Sequence, residues 1–150
     1  MTIKIAVVKE SLNNETRVAL VPEIAQKLAS NNSSFIIEKN AGECSGFLDS
    51  AYPENACKFV SSSADALKDA DVLFKVNPPT SDEIEKMKRG SIAISHMNPF
   101  QNDALIKQMA SSGIDAFSVE LIPRISRAQS MDALSSQASI AGYKAVVLAA

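Results

Sequence analysis

A three-layer α/β/α domain on a mainly parallel sheet of about six strands is the fold class this sequence predicts. Three observations lead there. Apolar, β-branched runs alternate with helical patterns along the chain, and the connections between them are short. The first run, Ile3 to Val8, is continuously apolar rather than alternating. That is how a strand buried on both faces reads, and parallel sheets are covered on both faces by their crossover helices.

After Val8, Lys9 to Arg17 form a polar loop. Pro22 suits the first turn of a helix whose apolar face is Ile24, Ala25, Leu28 and Ala29. Asn31 to Ser34 make a turn into a second strand, Phe35 to Glu38. Ala41 to Phe47 carries glycines at 42 and 46. A phosphate cradle needs tight glycine spacing between a strand and a helix, and Pro53 limits the helix that could follow, so this stretch reads as a turn. A third strand spans Cys57 to Val60, a small helix Ser63 to Lys68, and a fourth strand Val72 to Val76, stopped by Pro78 and Pro79.

Thr80-Ser-Asp-Glu83 matches a capping box and opens a helix with Ile84 and Met87 inward, ended by Gly90. Ser91 to Met97 is the fifth strand and Asn98-Pro99 a turn. Gln101 to Ser112 is a helix with Leu105, Ile106 and Met109 inward, closed by Gly113, and Ile114 to Ile122 is the sixth strand. Residues 1–130 therefore read as one domain, flavodoxin/Rossmann-like in its alternation. Leu134, Ala138, Ala141, Ala145 and Leu148 recur at helical spacing to the end, so 131–150 begins a long helix with an alanine-rich contact face. It stops in Val-Val-Leu-Ala-Ala without a capping glycine. The expectation is a linker helix leading into an absent second domain.

Composition narrows the function classes. The chain has 150 residues, 46% hydrophobic and 21% charged, with a net charge of −2. Without a basic excess, nucleic-acid binding is disfavoured. Nothing approaches the roughly 20 apolar residues of a membrane span, and the N-terminal apolar run is too short for a signal peptide. Cys44 and Cys57 have neither metal nor redox spacing and read as reduced thiols of a cytosolic protein.

In open parallel sheets, ligands bind beyond the carboxyl ends of the strands. That rule selects Lys9 and Arg17 after strand one, Lys75 in strand four, His96 and Asn98 at strand five, and Glu120 and Arg124 at strand six. Lys75 lies in an apolar strand, so it either snorkels to the rim or is desolvated for a ligand. Arg17 either clamps a carboxylate or pins its own loop. His96 reads as structural first and as a proton carrier second. Pro123 to Gln137 holds two of the chain's four arginines, an aspartate, two glutamines and four serines. Ser126-Arg-Ala-Gln129 fits a capping box, and Ser130 is another candidate cap. A capped helix start does not account for Arg124, Arg127 and Asp132 together. Such a set at a helix N-terminus suits a polar, partly anionic ligand.

Pro-Arg-Ile-Ser-Arg-Ala-Gln-Ser-Met-Asp-Ala-Leu-Ser-Ser-Gln, with Ala-Gly-Tyr-Lys-Ala at 141 to 145, closely resembles the soluble NAD(H)-binding α subunits of the proton-translocating NAD(P) transhydrogenases. Lys9-Glu10, Asn-Asn-Glu-Thr-Arg-Val-Ala at 13 to 19 and Leu-Phe-Lys-Val-Asn-Pro-Pro at 73 to 79 resemble the wider group that includes alanine dehydrogenase. The resemblance implies two α/β domains, a homodimer, and NAD(H) bound between the domains. It implies hydride transfer to NADP(H) held on a partner component, coupled to proton entry through a membrane component. The chain would then be cytoplasmic, peripheral at the cytoplasmic or matrix face of the membrane through its partner, and would not insert itself. Carried over residue by residue, Gln129 helps bring the two nucleotides together, Asp132 and Ser135 orient the nicotinamide carboxamide, and Arg124 supports the cofactor.

Two departures accompany the resemblance. The Gly-rich dinucleotide fingerprint is absent from these residues, so this chain alone would bind NAD weakly or not at all and be inactive by itself. Alanine dehydrogenases surround their substrate with an arginine, a lysine and a histidine. Arg17 and Lys75 match the first two, but the histidine position aligns with Asn98. The alternatives are an alanine-type amino-acid dehydrogenase and a non-catalytic interaction module.

Overall fold

The computed structural model describes residues 2–29 and 31–150. Six strands form one sheet: β1 (Ile3–Val7), β2 (Ser33–Glu38), β3 (Cys57–Val60), β4 (Val72–Phe74), β5 (Ile92–Ser95) and β6 (Asp115–Ser118). Their order is β3-β2-β1-β4-β5-β6 and every pairing is parallel. Ile5 stands opposite Phe35 on one side and Val72 on the other. The winding direction reverses between β1 and β4, which makes their carboxyl ends the topological switch point of the sheet.

Five α-helices accompany the sheet: α1 (Pro22–Ala29), α2 (Ser63–Leu67), α3 (Ser81–Lys86), α4 (Asp103–Ser112) and α5 (Ala133–Ala149). Alternation along β1 sends Ile5 and Val7 to one face and Ala6 and Val8 to the other. The first pair packs with Ala25 of α1, Phe35, Ile37 and Tyr52. The second packs with Ala66 and Leu67 of α2, Ile84 of α3 and Met109 of α4. Each fully buried Leu, Ile or Phe contributes about 1.5–3 kcal/mol against exposure, so both layers stabilise the sheet. The predicted three-layer architecture is the one observed.

Several boundaries differ for local reasons. The fourth strand ends at Phe74 rather than Val76, because the Val76 amide donates to Glu10 Oε1 at 2.6 Å instead of to a neighbouring strand. The sixth ends at Ser118, and Val119–Leu121 coil into a 3-10 turn. The Thr80–Glu83 capping box forms as expected. The one expected at Ser126–Gln129 does not: Ser126–Met131 is a 3-10 helix without a side-chain cap. Asp132, not Ser126 or Ser130, caps the last helix by accepting from the Ser135 amide. None of the described residues of α5 is buried; the helix touches the Val119–Leu121 turn, and Ala138, Ala141 and Ala145 of its alanine stripe stay exposed. Beyond α1, the same side of the sheet is open over its last strands, where Phe117 is 59% exposed.

Candidate functional site

Two of the cavities at the carboxyl end of the sheet hold most of the residues singled out in the sequence. One, of about 430 Å³, lies at the switch point and is lined by Arg17, Val18 and Ala19 after β1, Phe74, Lys75 and Val76 of the β4 end, Ile94 and His96 of β5, Val119, and Gln137 of α5. The other, of about 270 Å³, is lined by Arg124, Ile125, Ser126, Gln129, Asp132 and Ser135.

The smaller cavity gathers the loop residues singled out in the sequence. The 3-10 helix sets Gln129 one turn ahead of Asp132, whose carboxylate caps α5. Asp132 Oδ1 accepts from the Ser135 amide at 3.1 Å and Oδ2 from the Ser135 hydroxyl at 2.6 Å. Arg124 Nε lies 3.5 Å from the same Oδ2. The Ser135 hydroxyl and amide, then the Arg124 charge, hold the Asp132 carboxyl below its ordinary range. It is therefore an ionised acceptor at neutral pH. Ser135 spends its one hydroxyl proton on Asp132 and so presents an oxygen to any ligand. Arg127 is exposed and does not line this cavity.

The larger cavity shows why the early cations are not free. Lys75 has a fully buried side chain, and its Nζ donates to Glu83 Oε2 at 2.7 Å and Oε1 at 2.9 Å. It is desolvated, but for a carboxylate of α3. Arg17 clamps a carboxylate of its own loop: Nε to Glu15 Oε1 at 2.8 Å and Nη2 to Glu15 Oε2 at 2.7 Å. Glu15 in turn accepts from Asn77 Nδ2 at 3.0 Å, and Asn77 also donates to Glu10. Sequence reasoning placed Glu83 in a capping box and gave Glu10 and Glu15 no role of their own, so it missed all three as partners of this site. They stand among ordinary loop and helix charges, and only the fold reveals what they meet. Lys9 faces neither cavity; its amide donates to Glu38 at 3.0 Å.

The structure places His96 and Asn98 differently. His96 itself lines the cavity with Arg17 and Lys75. Asn98 adopts a left-handed φ of 44° and lines a neighbouring hollow, to which His96 also contributes. Its amide, with that of Met97, donates to Glu120, whose Oε2 is 3.6 Å from His96 Nδ1. Burial would raise the Glu120 carboxyl, but the backbone amides of Glu120 and Asn98 outweigh it and hold it low. Among the described residues, no group of three or more His, Cys, Asp or Glu is placed to hold a metal ion.

The family described as alanine dehydrogenase/PNT, N-terminal domain, matches residues 6–141. The chain belongs to that family. It is 41% identical to the NAD(P) transhydrogenase subunit alpha of Haemophilus influenzae, over 97% of this chain and 28% of that protein. The crystal structure of transhydrogenase from Sinorhizobium meliloti superposes with a TM-score of 0.90 at 42% identity, covering 96% of this chain and 43% of that one. A solved L-alanine dehydrogenase superposes with a TM-score of 0.73 at 28% identity, covering 79% of this chain and 32% of the other. The residues lining both cavities lie within the matched range, and the chain spans under half the length of these relatives. No helix among the described residues is long and apolar enough to cross a membrane.

Proposed function

We propose that this chain is part of the NAD(H)-binding component of an NAD(P) transhydrogenase, transferring hydride between NADH and NADP⁺ coupled to proton translocation. One observation carries the reading: Arg124, Gln129, Asp132 and Ser135 converge on a single cavity beside a helix N-terminus. Its donor set suits a nicotinamide carboxamide, which offers an N–H₂ and a carbonyl. The Asp132 carboxylate and the Ser135 oxygen take the N–H₂, while Arg124 Nε stays within reach of a carbonyl or a phosphate. Gln129 supplies both a donor and an acceptor, so it contacts both nucleotides without moving a proton. The bound dinucleotide supplies the hydride, and these residues contribute orientation, through which well-placed reactants gain up to about 7–11 kcal/mol.

The remaining contacts lie elsewhere. The chain has five glycines, and none forms a Gly-x-Gly-x-x-Gly loop. We place residues 1–130 as the N-terminal domain and 131–150 as the start of a linker to a dinucleotide-binding domain. NADP(H) sits on a partner component, a membrane component carries the protons, and the subunit is a homodimer. The whole is peripheral at the cytoplasmic or matrix face of the membrane. Full-length subunit mixed with its NADP-binding partner should transfer hydride from NADH to an NADP⁺ analogue. Gln129→Asn should slow that step by about 100-fold or more while the fold is retained; a wild-type rate would refute the role of Gln129.

One observation favours a second reading. Arg17, Lys75 and His96 share the larger cavity, as an alanine dehydrogenase substrate site would require. Against it, Glu83 neutralises Lys75 and Glu15 neutralises Arg17. Alanine-dependent NADH formation by the full-length protein would decide for this reading.

A further inference from the structure

We propose that Arg17 is a positioning residue that aims α5, and with it the Arg124–Ser135 loop, by latching Gln137 to the switch point of the sheet. The exposed helix has few ties to the domain. Its N-terminus is capped locally by Asp132, and no described residue along its length is buried. One side-chain bond reaches from its second turn to the body of the domain: Arg17 Nη1 donates to Gln137 Oε1 at 3.4 Å.

Arg17 is fit for this because it cannot wander. Glu15 grips the guanidinium at two points, and the Arg17 amide also donates to Glu15 Oε1 at 3.0 Å. Glu15 is anchored by Asn77, and Asn77 by Glu10, whose oxygens accept from the Val76 and Asn77 amides just after β4. A planar fork already fixed by one carboxylate loses little further freedom on reaching a second partner. The chain of contacts thus runs from the end of β4 to α5. Gln137 lies five residues beyond Asp132 in a continuous helix, so the direction of the helix sets where Asp132 and Gln129 stand relative to the larger cavity. Two cavities that share no lining residue are thus joined by this side-chain bond, beside the contact of α5 with the Val119–Leu121 turn.

The consequence for hydride transfer rests on the proposed function, so the test has an arm that does not. In the full-length polypeptide carrying this sequence, nitroxide labels are attached at Cys44, which is exposed, and at Lys144→Cys on α5. Cys57 is buried, and burial pushes its thiol up to about 11, so it escapes labelling at neutral pH. The distance distribution is expected to be narrow, to broaden in Gln137→Leu and Arg17→Met, and to stay narrow in Gln137→Glu, where a charge-assisted pair replaces the amide contact. Gln137 is exposed, so its variants keep the domain folded if Arg17→Met does not. A distribution that stays narrow in Gln137→Leu overturns the latch.

The second arm follows hydride transfer in the same variants. Gln137→Leu should lower the rate about threefold or more, with unchanged affinity for NADH, as misplacement rather than lost binding requires. Broadened distances with an unchanged rate overturn the effect on the loop. A wild-type protein that transfers no hydride refutes the functional reading alone, and the distances still decide the latch.

Discussion

Lys75 Nζ lies 2.7 Å from Glu83 Oε2, with the lysine side chain wholly out of solvent and the glutamate side chain 8% exposed. The same Glu83 oxygen accepts from the Thr80 amide at 2.7 Å, so the capping box of α3 and the buried cation share one carboxylate. The pair ties the end of β4 to a helix on the opposite side of the sheet from α1.

Glu83→Gln keeps a glutamine that can still close the capping box, but leaves the Lys75 charge unpaired. Breaking a buried pair from one side costs about 3–5 kcal/mol. Urea unfolding should show a loss of that size in Glu83→Gln, and a smaller one in Lys75→Met/Glu83→Leu, where both charges are gone. Equal losses in the two variants would contradict a buried pair.

Glu15 predicts an acid response. The Arg17 side chain, outweighing burial, lowers its carboxyl from the usual 4.5 to about 2. A folded value below the unfolded one means that the ionised form stabilises the fold above about pH 4.5, and that this contribution is lost as pH falls toward 2. Glu15→Gln should flatten the fall of stability across that window, measured by denaturant midpoints at successive pH values. An unchanged slope would show that the carboxyl is not held low.

Asp132 caps α5, and the proposed function gives it a second role that substitution separates. Asparagine caps helices about as well as aspartate, while alanine loses about 1 kcal/mol. Asp132→Asn should therefore preserve the α5 circular dichroism signal, whereas Asp132→Ala frays it. If both variants lose hydride transfer, the carboxylate charge is needed at the site. If only Asp132→Ala does, the residue acts as a cap alone.

Gly42 is constrained by space. A Cβ there would meet the Phe47 carbonyl and the Tyr52 hydroxyl at 2.8 Å each. The Tyr52 hydroxyl donates to the Leu20 carbonyl at 2.8 Å, and burial pushes that phenol up to about 12. Gly42→Ala should cost about 1–3 kcal/mol through overpacking, read as a lower Tm. Tyr52→Phe should cost about 1 kcal/mol for the lost bond. A neutral Gly42→Ala would mean that the loop after β2 yields.

Sequence alone determined the layers, because apolar runs and helical stripes are local patterns set by backbone periodicity. It also found the Thr80–Glu83 box, which spans one turn, and the Pro123–Gln137 stretch, whose residues lie close in the chain. The structure decided what depends on distant partners. Lys75 was open between rim and ligand until α3 supplied Glu83, and Arg17 until the β4 end supplied the Asn77 anchor for Glu15. His96 reached the cavity because its amide still donates to the Val76 carbonyl beyond β4, whereas Asn98, two residues on, turns away with a left-handed φ. Asp132 displaced Ser126 as the helix cap because the residues between them coil as a 3-10 helix. Short-range periodicity is written in neighbouring residues. The pairing of charges across a parallel sheet is set by which strand ends the crossovers bring together, and no window of the sequence contains that.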